Sequence, residues 1–367
     1  MKEEELFYLL LLQKIPNLGE ISAKRLIQKT GSAKAVFEEK KSTLLKIDGI
    51  GRFRIDKLHD KAYRDEAEKE MDFVRKNQII PLCFSEENYP ERLKHCVDSP
   101  LVLFSKGNIS LNHKHIISIV GTRKITTYGA SFCKKIIEEL APWDVVIVSG
   151  LAYGVDIAAH RSAIKNKMQT IGCLAHGLNQ LYPKEHEKYA REIENNGGFL
   201  TEFWSTDVFD KNNFLKRNRI IAGISEATIV IESAERGGSL VTAEIANSYN
   251  REVFAVPGRV DDKQSSGCHN LIKTQKAHLL TSAADLVYIL SWQRTLQKKQ
   301  QIQKQLFVEL DEDEKTIFNF LKENNKQHLD HIAASCNMPV HKTAALLLNM
   351  EMKGVVIAMP GRIYDLN

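Results

Sequence analysis

A chain of 367 residues, 43% hydrophobic and 26% charged, is too long for one ordinary core, and two or three globular domains are expected. No apolar run reaches the length of a membrane span, and the stretch 6–12 follows three glutamates, the wrong charge for a secretory leader, so a cytoplasmic protein is expected. The net charge is only +5, and residues 306–367 hold six basic against nine acidic groups, which excludes a global positive field and leaves any polyanion site to a local cluster.

The six cysteines are scattered with no CxxC pair, so free buried thiols are expected and not zinc or disulfides. His328, His331 and Cys336 lack a fourth ligand, and no metal site is assigned.

Residues 1–80 read as short helices joined by two similar turns, "IPNLGEISAKRLIQKTG" and "LLKIDGIGRFRIDKL". Each places an apolar residue and a glycine turn before a basic amphipathic helix. The pattern resembles a tandem helix-hairpin-helix (SAM-like) domain with hairpins at Leu18-Gly19 and Gly49-Ile50-Gly51, where amides at a helix start can approach a phosphate. Glu20 stands where a second glycine would serve that purpose better.

From about residue 113 the pattern changes. "HIISIVG", "DVVIVSG", "QTIGCLAHG", "GGFLTEF", "ATIVIES" and "REVFAVPG" are short apolar runs that end in glycine or polar residues. Stretches with helical spacing, among them 128–140, 155–165 and 240–249, lie between them. This alternation predicts an α/β domain over 81–290, a parallel sheet covered on both faces. Ligands of such sheets bind beyond the carboxyl ends of the strands. A glutamine- and lysine-rich linker is expected at 291–305 and a winged helix at 306–367, with three helices and a hairpin turned at Pro360-Gly361.

The expected rim carries three glycine turns: "VGTRKITTYG", "SGLAYGVDIAAH" and "ERGGSLVTAEIA". None matches GxGxxG, so no dinucleotide and no other cofactor is expected. The turns still offer amides at helix starts that suit phosphates. The stretch "FLKRNRIIAG" adds Lys216, Arg217 and Arg219, together with Phe214, a ring on which a base can stack. A basic track with an aromatic and helix-start amides describes a groove for single-stranded nucleic acid. Asp156 and His160, four apart in "GVDIAAH", are expected to form a hydrogen-bonded pair bracing the Gly150 turn. Glu202 and Glu232, at strand ends, are expected to orient arginines.

Together "SGLAYGVDIAAH", "GLNQLYPKEH", "NNGGFLTEF", "FLKRNRIIAG", "GGSLVTAEIA" and "REVFAVPGRV…SSGCHNLI" resemble the DNA-processing protein A family, also called DprA or Smf, over about 115–285. The resemblance implies a Rossmann-like domain that binds single-stranded DNA, protects incoming strands in natural transformation and helps load the recombinase RecA, without enzymatic activity. Carried onto this sequence, it implies DNA contacts from Arg123, Ser149, Gly150, Lys216, Arg217, Asn218, Arg219, Gly238 and Ser239, with Phe214 beside them. Reversing the charge of Arg217 or Arg219 is expected to weaken binding while leaving the fold intact. It also implies a homodimer built through "GCHNLIKTQKAHLL", with His269, Leu271, Ile272 and Leu279 at the interface. The chain departs from the family pattern at Leu215, Gly237 and Asn250, where proline, serine and glycine are usual.

An enzymatic alternative starts from "GGSLVTAE", which resembles a turn of the nucleotide phosphoribohydrolases. Thr242 and Glu244 would then be the counterparts of that turn's polar residues.

Overall fold

A computed structural model describes residues 3–111, 113–292, 310–359 and 361–366. The chain divides into two compact units, Met1–Arg294 and Thr295–Asn367. Beyond Ser291 and Trp292, the linker expected at 291–305 lies outside the described residues.

The first unit is organised by a nine-stranded sheet: β1 (Ile80–Cys83), β2 (Val102–Gly107), β3 (His115–Val120), β4 (Val145–Ser149), β5 (Thr170–Cys173), β6 (Gly197–Thr201), β7 (Ala227–Val230), β8 (Glu252–Ala255) and β9 (His278–Leu279). The order is β1-β2-β6-β5-β4-β3-β7-β8-β9. From β6 to β9 all pairings are parallel, and β1 and β2 add an antiparallel edge. All six residues of β3 are buried, as a central strand covered on both faces requires. Ile117 and Ile119 face one layer, with the helices Thr127–Leu140 and Val155–Lys165. Ile116 and Val120 face the other, with Asn212–Ile224 and Gly238–Ser248. The chain winds outward from β3 in both directions, so β3 and β7 flank the point where the strand order reverses. A crevice opens there in folds of this kind.

The six apolar runs of the sequence are the parallel strands β3 to β8. The basic stretch before β7 is a helix, Asn212–Ile224, and not an irregular approach to the strand. This decides where its cations point, because successive residues of a helix are turned about 100° from one another.

The N-terminal helices Glu3–Lys14, Glu20–Thr30 and Lys61–Lys76 share one apolar core with Val102 and Phe104 of β2 and with Trp204. Glu20 opens its helix facing inward, where its carboxylate accepts the Leu101 amide at 2.9 Å. In the turn 49–51 Gly49 takes a φ of 78°, and Arg54 donates to its carbonyl at 2.8 Å. Five cysteines are buried and Cys336 is half-buried, all as free thiols.

In the second unit the helices Glu312–Asn324, Leu329–Ser335 and Val340–Met352 pack with β10 (Gln327–His328), β11 (Val356–Met359) and β12 (Ile363–Leu366). This is a winged helix, with β11 and β12 as the wing hairpin. Lys342 pairs with Asp313 and Lys353 with the buried Glu314, so a cation on the third helix and the one that caps it are engaged within the unit.

Candidate nucleic-acid interface

A cleft of about 480 Å³ lies at the carboxyl ends of the strands, between the turns that follow β3 and β7. Arg123, Lys211, Arg217 and Arg236 bring four cations to its lining, against one carboxylate, Asp156. Among the described residues Arg123, Lys211 and Arg236 are exposed with no ion pair. Gly237, Gly238 and Ser239 line the same cleft at the start of the helix Gly238–Ser248, whose first-turn amides and positive dipole end suit an anion.

Arg217 is the buried member, 5% exposed. Its guanidinium donates to the Cys173 carbonyl and stands beside Asp156, whose carboxyl is raised by burial and drawn back down by Arg217. Arg217 Nε is buried without a hydrogen-bond partner among the described residues. Leaving such a donor dry costs about 1–3 kcal/mol unless an acceptor reaches it.

Ser149 and Gly150 lie beneath the cleft and do not line it. Ser149 Oγ donates to the Ile119 carbonyl at 2.6 Å, tying β4 to β3. A side chain at Gly150 would collide with both Arg217 and Asp156, so this glycine makes room for the buried cation. Asn218 lines the cleft and donates to the Gly238 carbonyl at 3.3 Å, holding one helix start against the other helix. Ser239 Oγ donates to Ser233 Oγ at 3.0 Å.

Within the helix Asn212–Ile224, Phe214, Arg217, Asn218 and Ile221 face the cleft, spaced three and four apart. Lys216 is exposed outside the lining. Arg219 turns elsewhere: it pairs with Glu202 and donates to the Asp98 carbonyl. Glu202 thus orients an arginine, whereas Glu232 accepts from the backbone and hydroxyl of Thr126 and fixes the turn that carries Arg123.

Asp156 and His160 do not pair with each other. His160 bonds Thr170 Oγ1 at 2.7 Å and the Gly150 carbonyl at 2.5 Å, while Asp156 accepts the Ala152 amide at 3.3 Å. Each braces the Gly150 turn separately. Burial holds His160 down at about 4, so it stays neutral near neutral pH. Thr242 spends its hydroxyl on the Gly238 carbonyl, and Glu244 is exposed outside the lining, paired with Lys276.

Lys211, Arg236, Tyr182 and Phe209 join the cleft without having been singled out in the sequence. Arg236 sits inside the "ERGG" turn, and its position before a glycine helix start was a signal available to read.

Of the residues expected at a dimer interface, Leu271 is buried in the chain's own core and Ile272 packs partly against it. His269 Nε2 meets the Gly258 carbonyl at 3.2 Å. Leu279, on the edge strand β9, is 47% exposed.

The family model for DNA recombination-mediator protein A matches residues 69–291, and that for the DprA winged helix domain matches 304–362. The chain belongs to the DNA recombination-mediator protein A family. Protein Smf of Escherichia coli is 34% identical over 312 residues, 81% of this chain and 83% of that protein. DNA processing protein DprA of Streptococcus pneumoniae is 40% identical over 55% of this chain and 71% of its own length. The X-ray structure of the pneumococcal DprA is similar with a TM-score of 0.65 and 31% identity, covering 78% of this chain and 98% of that one. DNA processing protein A of Helicobacter pylori, described for its single-stranded DNA binding mode, is similar with a TM-score of 0.53 and 30% identity, covering 58% of this chain and 96% of that one. The sheet and winged helix described above are thus the family's architecture, and the cleft lies within the matched core.

Proposed function

We propose that this protein binds single-stranded DNA in the cleft beyond β3 and β7, shields the strand during natural transformation and hands it to a RecA-type recombinase in the cytoplasm. The observation that carries the reading is the charge of the cleft: four cations and a helix start against one carboxylate. In this reading Arg123, Lys211, Arg217 and Arg236 meet phosphates with the amides of Gly238 and Ser239, while Ser149, Gly150 and Asn218 shape the site. No residue of the cleft is assigned to bond cleavage, since Glu244 of the enzymatic alternative lies off the cleft in an ion pair.

The test is an anisotropy titration of oligo-dT and of a duplex of equal length at about 50 and 200 mM salt. Four neutralised phosphates give a slope of log affinity against log salt of about −3 on a single strand. Single strands are expected to bind more tightly than duplex with a slope near that value, and the complex to speed recombinase assembly on the strand. Equal affinity for duplex, or binding indifferent to salt, removes the cleft assignment. Absence of acceleration removes the loading step.

The proposal includes a homodimer through the β9 edge, where Leu279 is exposed, with the half-buried Ile272 on the helix before it. Such an edge can meet its own copy across a two-fold axis. Sedimentation at micromolar concentration is expected to give a dimer for the unmodified chain and a monomer for Leu279→Arg. A variant that remains dimeric places the contact on another surface.

A further inference from the structure

Positive charge is unevenly placed along this chain. Residues 15–64 hold twelve basic against six acidic groups, a net +6, whereas the whole chain carries +5. The excess thus belongs to the helices that precede the sheet. Part of it is engaged internally. Lys34 pairs with Glu4 and Glu38, Lys41 with Asp56 and Lys57 with Asp60. Lys24 donates to Ser99 Oγ at 2.5 Å, on the side where Glu20 faces inward. Arg25, Lys29, Lys46, Arg52 and Arg54 differ from these. None has an ion pair among the described residues, and all but the half-buried Arg54 are exposed.

Two of the five converge on one turn. Arg25 Nη1 donates to the Asp48 carbonyl at 3.5 Å and Arg54 Nη1 to the Gly49 carbonyl at 2.8 Å. Arg54 also donates to Ser22 Oγ at 3.2 Å, which ties the turn to the helix Glu20–Thr30 that carries Arg25. A Cβ at Gly49 would stand 3.0 Å from Arg25 Nη1, on a φ of 78° that side chains rarely adopt. The glycine therefore keeps open the place where the two guanidiniums approach. Lys29 lies one helical turn beyond Arg25 on the same face, and Lys46 and Arg52 flank the turn in sequence. Like charges gathered without a carboxylate repel one another, and an external polyanion relieves that repulsion.

The patch offers charge without a stacking face. The cation–ring contacts of this region belong to Lys24 and Arg64 instead. A single strand laid on such a surface must be ordered at an entropic cost that no base stacking offsets. A duplex is already stiff and presents closely spaced phosphates with its bases stacked inside. We propose that these five cations form a second nucleic-acid site, which takes the phosphate backbone of double-stranded DNA without regard to sequence. The site is separate from the single-strand cleft, goes beyond that reading and does not depend on it. It lets one molecule hold a strand and a duplex together.

The experiment titrates the full-length protein with a blunt duplex and with oligo-dT across salt. The unmodified protein is expected to bind the duplex measurably, though more weakly than the single strand. Arg25→Gln/Lys46→Gln/Arg52→Gln removes three exposed charges and no salt bridge, and thermal melting checks its fold. It should lose roughly tenfold in duplex affinity, as three exposed charge contacts imply. Its duplex salt slope should flatten by about 2.7, at about 0.9 for each phosphate released. Affinity and slope for oligo-dT should stay as they were. Arg25→Lys/Arg52→Lys, which keeps the charges, should retain the duplex slope. Arg123→Glu/Lys211→Glu should leave duplex binding unchanged. A triple variant with the duplex slope of the unmodified protein overturns the site, as does an unmodified protein that does not bind duplex. Parallel losses for duplex and oligo-dT would place these cations on the single strand's path and overturn the duplex assignment.

Discussion

Glutamate at both Arg123 and Lys211 is expected to lower affinity for oligo-dT by a hundredfold or more, at a cost to folded stability of only about 1 kcal/mol. Both side chains are exposed cleft cations without an ion pair among the described residues, so their reversal breaks no salt bridge and removes only the contact of Arg123 with the Phe214 ring. Hydrogen bonds to charged groups contribute about 1.5–3 kcal/mol each, and two lost together reach that hundredfold before repulsion is counted. Each phosphate contact removed from a single strand also takes about 0.7 from the salt slope, so the double variant should flatten it by about 1.4. An anisotropy titration across salt reads both quantities, and thermal melting checks the fold. Unchanged affinity and slope would mean that the strand lies elsewhere. Arg217 is the wrong residue for this experiment, contrary to the expectation from sequence. A carboxylate there would sit buried beside Asp156 with the Cys173 carbonyl left unpaired, and the variant would fail through its fold.

The difference between Arg123 and Arg217 marks where reading the sequence ran out. The strands β3 to β8 were legible because each falls in a short apolar run bounded by glycine or polar residues and is largely buried. The glycine turns were legible because helix starts must follow them. β1, β2 and β9 were not, since β1 and β9 are edge strands, β9 has only two residues, and β2 ends in Ser-Lys-Gly without alternating with a helix. "FLKRNR" reads as one basic patch along the chain, yet its helix sends Arg217 inward, Lys216 to solvent and Arg219 to another neighbour. Charge clustering in sequence becomes charge clustering in space only when the backbone conformation is known. Asn250 teaches the opposite lesson. It stands where the family pattern has glycine, and its φ of 54° is the left-handed conformation that glycine adopts freely and asparagine tolerates. Of the cleft's remaining cations, Arg236 could be read from its place before a glycine helix start, whereas Lys211 comes from a stretch without periodicity and only the tertiary fold brings it to Arg123.

Arg219→Met is expected to destabilise the first unit by about 3–5 kcal/mol, the cost of removing one partner from a buried ion pair, while leaving the salt slope for oligo-dT unchanged. Arg219 holds Glu202 and the Asp98 carbonyl. Glu202 Oε1 is already buried without a partner among the described residues, and burial raises the Glu202 carboxyl above its ordinary range. Nearby Glu20 is pushed up to about 7 by burial and by the charge of Glu202. Without Arg219 these two acids face each other with less opposing charge, and the folded state holds the Glu202 proton more tightly still. A carboxyl whose folded pKa is raised is tolerated below its unfolded value of 4.5 and becomes costly as pH climbs through the folded value. The penalty of Arg219→Met should therefore be smallest near pH 4.5 and grow toward neutrality, where the melting temperature falls by roughly 10 °C. Adding Glu202→Gln removes the uncompensated charge and should recover much of the loss. Melting curves across pH, with an oligo-dT salt titration well below both transitions, separate the possibilities. A variant that melts like the unmodified protein but loses about 0.7 of salt slope would make Arg219 a phosphate contact and the Glu202 pair incidental to folding.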